Sequence, residues 1–170
     1  RNLALVTPDP NRFPQFNDEL RVSMRKETET MFTYVLAENR SLLEFLTADY
    51  TFVDQRLAQH YALPGNFSDK FTKVSLRGTD RGGLLTHASI LTVTSNPTRT
   101  SPVKRGKWVL DNLLGAPPKA PPENVPELEE NPRSEKGLTL REQMQQHSKD
   151  VRCASCHSSM DPLGFSMENF

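Results

Sequence analysis

The sequence predicts a mostly α-helical chain, rich in loops and proline, with a separate chemical module at its C-terminal end. Three observations carry this. Apolar residues recur at helical spacing behind capping residues, as Leu20, Met24, Met31 and Val35 do after Asn17 and Asp18. Thirteen prolines, an apolar fraction of 35% and a mean hydropathy of −0.60 leave long stretches unsuited to regular packing. Near the end, Cys153-Ala154-Ser155-Cys156-His157 gathers both cysteines of the chain and a histidine into five consecutive residues.

Taken in order, the first 16 residues carry Pro8, Pro10 and Pro14 and read as an extended lead-in. A helix starts at Asn17 or Asp18 and runs to about residue 39. Ser41 and Glu44 have capping-box spacing for a second, short helix. A third is expected from about 51 to 61, with Val53, Leu57 and Tyr61 facing inward and Pro64-Gly65 ending it. Residues 71–76 read as a short strand or extended piece. The stretch 84–93 has few charges and fits a helix and a buried strand equally. Residues 94–100 form a loop. Ser101 as cap and Pro102 at the first position open a helix to residue 114, stopped by Gly115, with Val103, Trp108, Val109, Leu110 and Leu113 on it.

Residues 116–137 are a proline-rich strap. Its first part, Ala116-Pro117-Pro118-Lys119-Ala120-Pro121-Pro122, favours polyproline II, and the acidic run Glu127, Glu129, Glu130 reads as solvated. Thr139 and Glu142 repeat the capping-box spacing. Leu140, Met144, His147 and Val151 then lead at helical spacing into the cysteines, with His147 packing beside them. Asp161-Pro162-Leu163-Gly164-Phe165 is expected to turn the chain. The organisation is therefore an N-terminal helical module over 1–80 and a second module over 81–170.

Length allows one domain, or one and a half, with a real core. Twenty-one basic and 21 acidic residues give zero net charge, which argues against nucleic acid or a charged membrane surface as partner. No apolar run approaches the roughly 18 residues of a membrane-spanning helix, and there is no signal peptide. The chain begins at Arg1, so it reads as an internal fragment or a processed chain.

C-x-x-C-H is the spacing of c-type haem attachment. Two thiols one turn apart can each form a thioether to a haem vinyl group, and the adjacent imidazole can ligate iron. A zinc site would need about four ligands, and no second ligand pair follows. A thioredoxin-like pair belongs after a strand, at the start of a helix, whereas this one ends a helix-like run. A Cys153–Cys156 disulfide would close too small a loop to stabilise much. The fold class is thus mostly α with a c-type cytochrome-like haem module at the C-terminal end, and haem c is the expected cofactor.

Several segments carry a resemblance: Asp49-Tyr50-Thr51-Phe52-Val53, Arg81-Gly82-Gly83-Leu84-Leu85-Thr86, the run from Leu91-Thr92-Val93 through Arg99-Thr100-Ser101-Pro102 to Arg105-Gly106, and the end from Cys153 through Met160-Asp161-Pro162-Leu163-Gly164-Phe165. Together they resemble the planctomycete-type multidomain cytochrome-like proteins, built of adjoining domains of unknown function. The resemblance implies an exported, haem-bearing redox protein in the periplasm or otherwise outside the cytoplasm, with a redox partner protein or other subunits of a larger complex. It implies no particular reaction, since that family has no settled activity.

Within this frame Cys153 and Cys156 would hold the haem and His157 would be the proximal ligand. The sixth position decides between a closed electron carrier and an open site for small-molecule chemistry. Met160, three residues after His157, lies on the same side of the ring if the helix continues. His87 is the preferred candidate. His60, on the inner face of its helix, Met167, an open position or another chain are the alternatives. Arg99 and Arg105 are candidates for the haem propionates, which Arg can bind through paired hydrogen bonds. Lys104 and Lys107 read as a solvated face, and Trp108 as core. The expected function is electron transfer; the alternative is a peroxidase-like or other haem oxidoreductase with an open distal face.

Overall fold

The computed structural model describes residues 2–118, 139, 141, 142, 144 and 151–170, with the helical backbone alone at 151–153 and 155. The expected strap lies outside the described residues from 119 onward, as does His147. The described chain is about half helical, with one two-stranded sheet. It forms two compact units, Arg1–Val93 with Asn169–Phe170, and Thr94–Glu168. This division falls 13 residues after the expected boundary at 80/81, because residues 84–93 are built into the first unit. There the Ala88 amide donates to the Tyr61 hydroxyl at 2.7 Å, and Thr28 bonds both His87 at 3.1 Å and Ser89 at 2.7 Å.

In the first unit, a short 3₁₀ turn at Leu3–Leu5 precedes helix α1, Asp18–Ala37, whose cap Asn17 accepts from the Leu20 amide at 2.8 Å. Helix α2, Glu44–Thr47, follows without a side-chain cap. The expected capping box does not close because the Glu44 carboxylate is taken by Arg40 Nε at 2.7 Å and by the Tyr50 hydroxyl. The expected helix over 51–61 is a strand and a helix: β1, Tyr50–Val53, then α3, Gln55–His60. Asp54 divides them. Its Oδ1 accepts from the Leu57 amide at 2.9 Å, a helix cap that ends the strand. Aromatic and β-branched residues before it favour an extended backbone. β2, Thr72–Ser75, pairs antiparallel with β1, Tyr50 opposite Ser75 and Val53 opposite Thr72, as the reading of 71–76 anticipated. A 3₁₀ turn, Leu84–Thr86, leads into helix α4, Ala88–Val93.

β1 is buried on both faces. Tyr50 and Phe52 pack with Met31, Val35 and Ala48; Val53 packs on the other side with Leu20, Met24, Leu57, Ala58, Tyr61 and Ala88. Each fully buried side chain such as Met31, Val35 or Leu57 contributes about 1.5–3 kcal/mol.

The second unit has helix α5, Pro102–Asn112, opened by Ser101 and Pro102 as expected, and helix α6, Val151–Phe165. The turn expected at 161–165 is helical. The helix runs through Pro162 despite the lost intrahelical bond and the ring's crowding of the carbonyl four residues back, a cost of about 3 kcal/mol, while Gly164 is held by packing. A Cβ on Gly164 would overlap the Pro102 carbonyl, and one on Gly106 would overlap the Met160 carbonyl. The two helices therefore run antiparallel in backbone contact at these two points. Beyond α6, Arg105 Nη1 donates to the Met167 carbonyl and to Glu168 Oε1, both at 2.6 Å. Before it, residues 141, 142 and 144 are helical, and the expected box forms: the Thr139 amide donates to Glu142 Oε2 at 2.7 Å and the Glu142 amide to Thr139 Oγ1 at 3.3 Å.

Gly106→Ala and Gly164→Ala each force a backbone apart. That penalty exceeds the roughly 1 kcal/mol that alanine gains in helix propensity. Each variant is expected to lose about 1–3 kcal/mol of stability. Guanidinium unfolding followed by the fluorescence of Trp108, the only tryptophan and a residue of α5, reads this in the second unit.

Candidate functional site

Helix α6 carries the whole Cys-x-x-Cys-His segment. Cys153 and Cys156 are three residues apart, a rise of about 4.5 Å, so their Cα positions share one side of the helix. Cys156 is half-buried. The motif lies in the first half of a helix that continues past it, not at a helix end followed by a turn. That continuation brings Asp161 one turn beyond His157. His157 Nδ1 is 2.9 Å from Asp161 Oδ1 and 3.2 Å from Oδ2. Both side chains are largely enclosed, at 12% and 15% exposure. A carboxylate accepts only, so Nδ1 carries the proton in this pair and Nε2 is the nitrogen suited to a metal.

The donor chemistry fits haem c: thiol positions one turn apart, then an imidazole with its distal nitrogen assigned. Among the described residues no group of three or more His, Cys, Asp or Glu is placed to hold a metal ion. Met160 and Met167 are both buried. Met160 follows His157 by one turn of the same helix, and Met167 is held after the helix end through its carbonyl.

Arg105 is 2% exposed and is paired with Glu168, which also accepts from Thr100 Oγ1 at 2.6 Å. Burial lowers the Arg105 pKa, against the opposing pull of Glu168. Arg99 Nη1 donates to the Thr100 carbonyl at 3.2 Å. The Nε atoms of Arg99 and Arg105 are both buried without a hydrogen-bond partner. These are donors of the kind a carboxylate satisfies. Lys104 reaches Asn96 and Lys107 pairs with Asp111 at 2.9 Å. Trp108 is half-buried.

His87 belongs to the first unit and is 1% exposed. Its Nδ1 faces Thr28 Oγ1 at 3.1 Å; its Nε2 has no hydrogen-bond partner and lies 3.9 Å from Glu27 Oε1. Glu27 is fully buried and accepts from Thr51 Oγ1 at 2.6 Å and from the Tyr61 hydroxyl at 2.7 Å. The Arg81 guanidinium stacks on Tyr61 at 4.0 Å. Burial pushes Glu27 up to about 7, against the lowering effect of those bonds and of Arg81. Burial, helped by Arg81, pushes His87 down to about 3. At ion-pair distance, the two are thus both neutral near pH 6. His60, expected on the inner face of its helix, is exposed at the end of α3.

Two of these groups escaped the sequence reading. Glu27 falls on the Leu20, Met24, Met31 stripe, which was the available signal for its burial. Asp161 stands four residues after His157, but Pro162 suggested that the helix had already ended.

Fold and site define a mostly helical chain of two units whose second unit bears a Cys-x-x-Cys-His helix. Residues 81–170 match the model of the PSCyt3 family, a protein of unknown function (DUF1588), and residues 1–63 match PSD4, also a protein of unknown function (DUF1592). The first match covers just over half of the chain, and the chain belongs to the PSCyt3 family. Both matches support its kinship with the planctomycete-type multidomain cytochrome-like proteins. No curated protein and no solved structure matches it.

The Glu27–His87 pair makes a pH prediction. Between about 4.5 and 6.5 the unfolded chain protonates His87, and the folded chain protonates Glu27, so the proton counts match and stability is flat. Below 4.5 the unfolded state binds the extra proton and stability falls with falling pH. From 6.5 to 7 the folded state holds the extra proton and stability falls with rising pH. Glu27→Gln isolates one half of this. The stability of the wild type relative to the variant should decline by about 3 kcal/mol from pH 4.5 to 7. Thermal melts of both proteins across that range check it; a constant difference would contradict the assignment.

Proposed function

We propose that this chain is a c-type cytochrome module that transfers electrons outside the cytoplasm, as part of a larger redox protein or complex. The observation that carries this reading is the His157–Asp161 hydrogen bond, made on the same helix as both cysteines. Such a bond would orient the imidazole and leave Nε2 as the nitrogen suited to iron. Kinship with cytochrome-like multidomain proteins supports the reading. Among the described residues no helix is long and apolar enough to cross a membrane.

The Sγ–H bonds of Cys153 and Cys156 would each add across a vinyl C=C, forming a C–S bond and placing the hydrogen on the neighbouring carbon. Bound there, the haem supplies reversible one-electron Fe(III)/Fe(II) chemistry. The unpartnered Nε donors of Arg99 and Arg105 suit its propionates. His87, whose Nε2 has no hydrogen-bond partner, and the buried Met167 remain the candidates for a second iron ligand.

The second reading is a haem enzyme with an open distal face. The same carboxylate favours it, because a proximal histidine hydrogen-bonded to a carboxylate is a stronger donor to iron and suits peroxide chemistry.

Expression with a secretory leader in a host that matures c-type cytochromes tests both. A Soret band, a sharp c-type α band on reduction, and haem that stays on the chain in denaturant are expected. Cys153→Ala with Cys156→Ala should abolish the covalent haem. No Soret band in cells that mature a control cytochrome overturns the proposal. A weak far-red band identifies Met167 as sixth ligand, and a low-spin spectrum without it identifies a histidine pair. A high-spin spectrum with carbon monoxide binding in the absence of denaturant selects the enzyme.

A further inference from the structure

We propose that Asp161 is a positioning residue that acts through His157 to lower the reduction potential of the iron; this rests on the haem reading above. The contact is a fixed one. Asp161 offers both oxygens to His157 Nδ1, at 2.9 and 3.2 Å, and the pair is largely enclosed. The backbone that carries Asp161 is pinned on either side. Met160 lies against Gly106 and Gly164 lies against Pro102, in each case with no room for a Cβ. One residue before Asp161 and three after it, the segment therefore cannot rotate or slide without separating α5 from α6.

A carboxylate that accepts the Nδ1 proton draws it away from the ring and leaves more electron density at Nε2. That density stabilises Fe(III) over Fe(II), so the potential falls. A pair made only to support the helix would bring the few tenths of a kcal/mol typical of i,i+4 contacts and leave the iron unaffected. Charge decides between the two. Asn in place of Asp keeps the shape and one acceptor oxygen but removes the negative charge, and Ala removes the acceptor as well.

The experiment uses the matured protein and the variants Asp161→Asn and Asp161→Ala, each equilibrated with a redox dye of known potential. Both variants should shift the equilibrium toward the reduced form by about tenfold, which is 59 mV for one electron. Haem per chain should stay the same. Equilibria within twofold of wild type, with haem retained, overturn the proposal. A lowered unfolding midpoint by Trp108 fluorescence alone marks a merely structural pair and also overturns it. Should neither variant mature, proton NMR of the reduced wild type decides: the His157 ring N–H is expected to survive transfer to D₂O, and its loss within the mixing time counts against Asp161. A wild type without any Soret band overturns the functional reading itself, an outcome distinct from a haem with an unmoved potential.

Discussion

Two glycines let two helices touch at the backbone, and the second unit is arranged around that contact. Gly106 on α5 meets the Met160 carbonyl, and Gly164 on α6 meets the Pro102 carbonyl. Neither approach leaves room for a side chain, so the register of one helix on the other has little freedom. Arg105, next to Gly106, is thereby set to reach the Met167 carbonyl and Glu168 beyond the end of α6. His157 and Asp161 straddle Met160 on the other helix. The capping of α5 by Ser101, with Pro102 in the first turn, supplies the rigid partner that the contact needs.

The first unit rests on a different constraint, a carboxyl group in its interior. Burying Glu27 is tolerable only because Thr51 and Tyr61 satisfy both oxygens and Arg81 lies nearby. Thr51 comes from the strand, Tyr61 from the end of α3 and the Ala88 amide from α4, so one polar centre ties together three elements and α1. An apolar core of this size would admit several packings; a network in which Glu27 and the Tyr61 hydroxyl each bond two partners admits fewer. This is also why residues 84–93 belong with the first unit: the Ala88 amide joins that network, and His87 and Ser89 both bond Thr28 on α1.

Much of the fold was legible in local signals. Asn17, Ser101-Pro102 and the Thr139–Glu142 pair cap where their residue types say they should, because a cap depends on neighbours within one turn. The errors arose where a distant contact outweighed a local pattern. Val53, Leu57 and Tyr61 keep helical spacing across a strand-to-helix junction that only Asp54 betrays. Pro162 and Gly164 read as a turn, yet the helix runs through the first, and the second is required by the Pro102 backbone 62 residues earlier in the chain. The site was half legible: Cys153, Cys156 and His157 declare themselves by spacing, whereas Asp161 needed the helix to continue. Nothing local marked His87 as enclosed with Glu27.

The atoms that crowd the two glycines are main-chain carbonyls, and this has a consequence for how the sequence can change. A clash between side chains can be relieved by a second substitution that trims the partner. Here there is no partner side chain to trim, since Pro102 and Met160 present backbone that every amino acid shares. Any single-nucleotide missense change at either glycine codon adds at least a Cβ, and no change opposite makes room for it. The two contacts are also spaced four residues apart on both helices, so an insertion or deletion between them on one helix breaks both together. Residues 102–106 and 160–164 can therefore drift in the side chains that face away, but their length and their two glycines can change only by giving up the helix pairing itself.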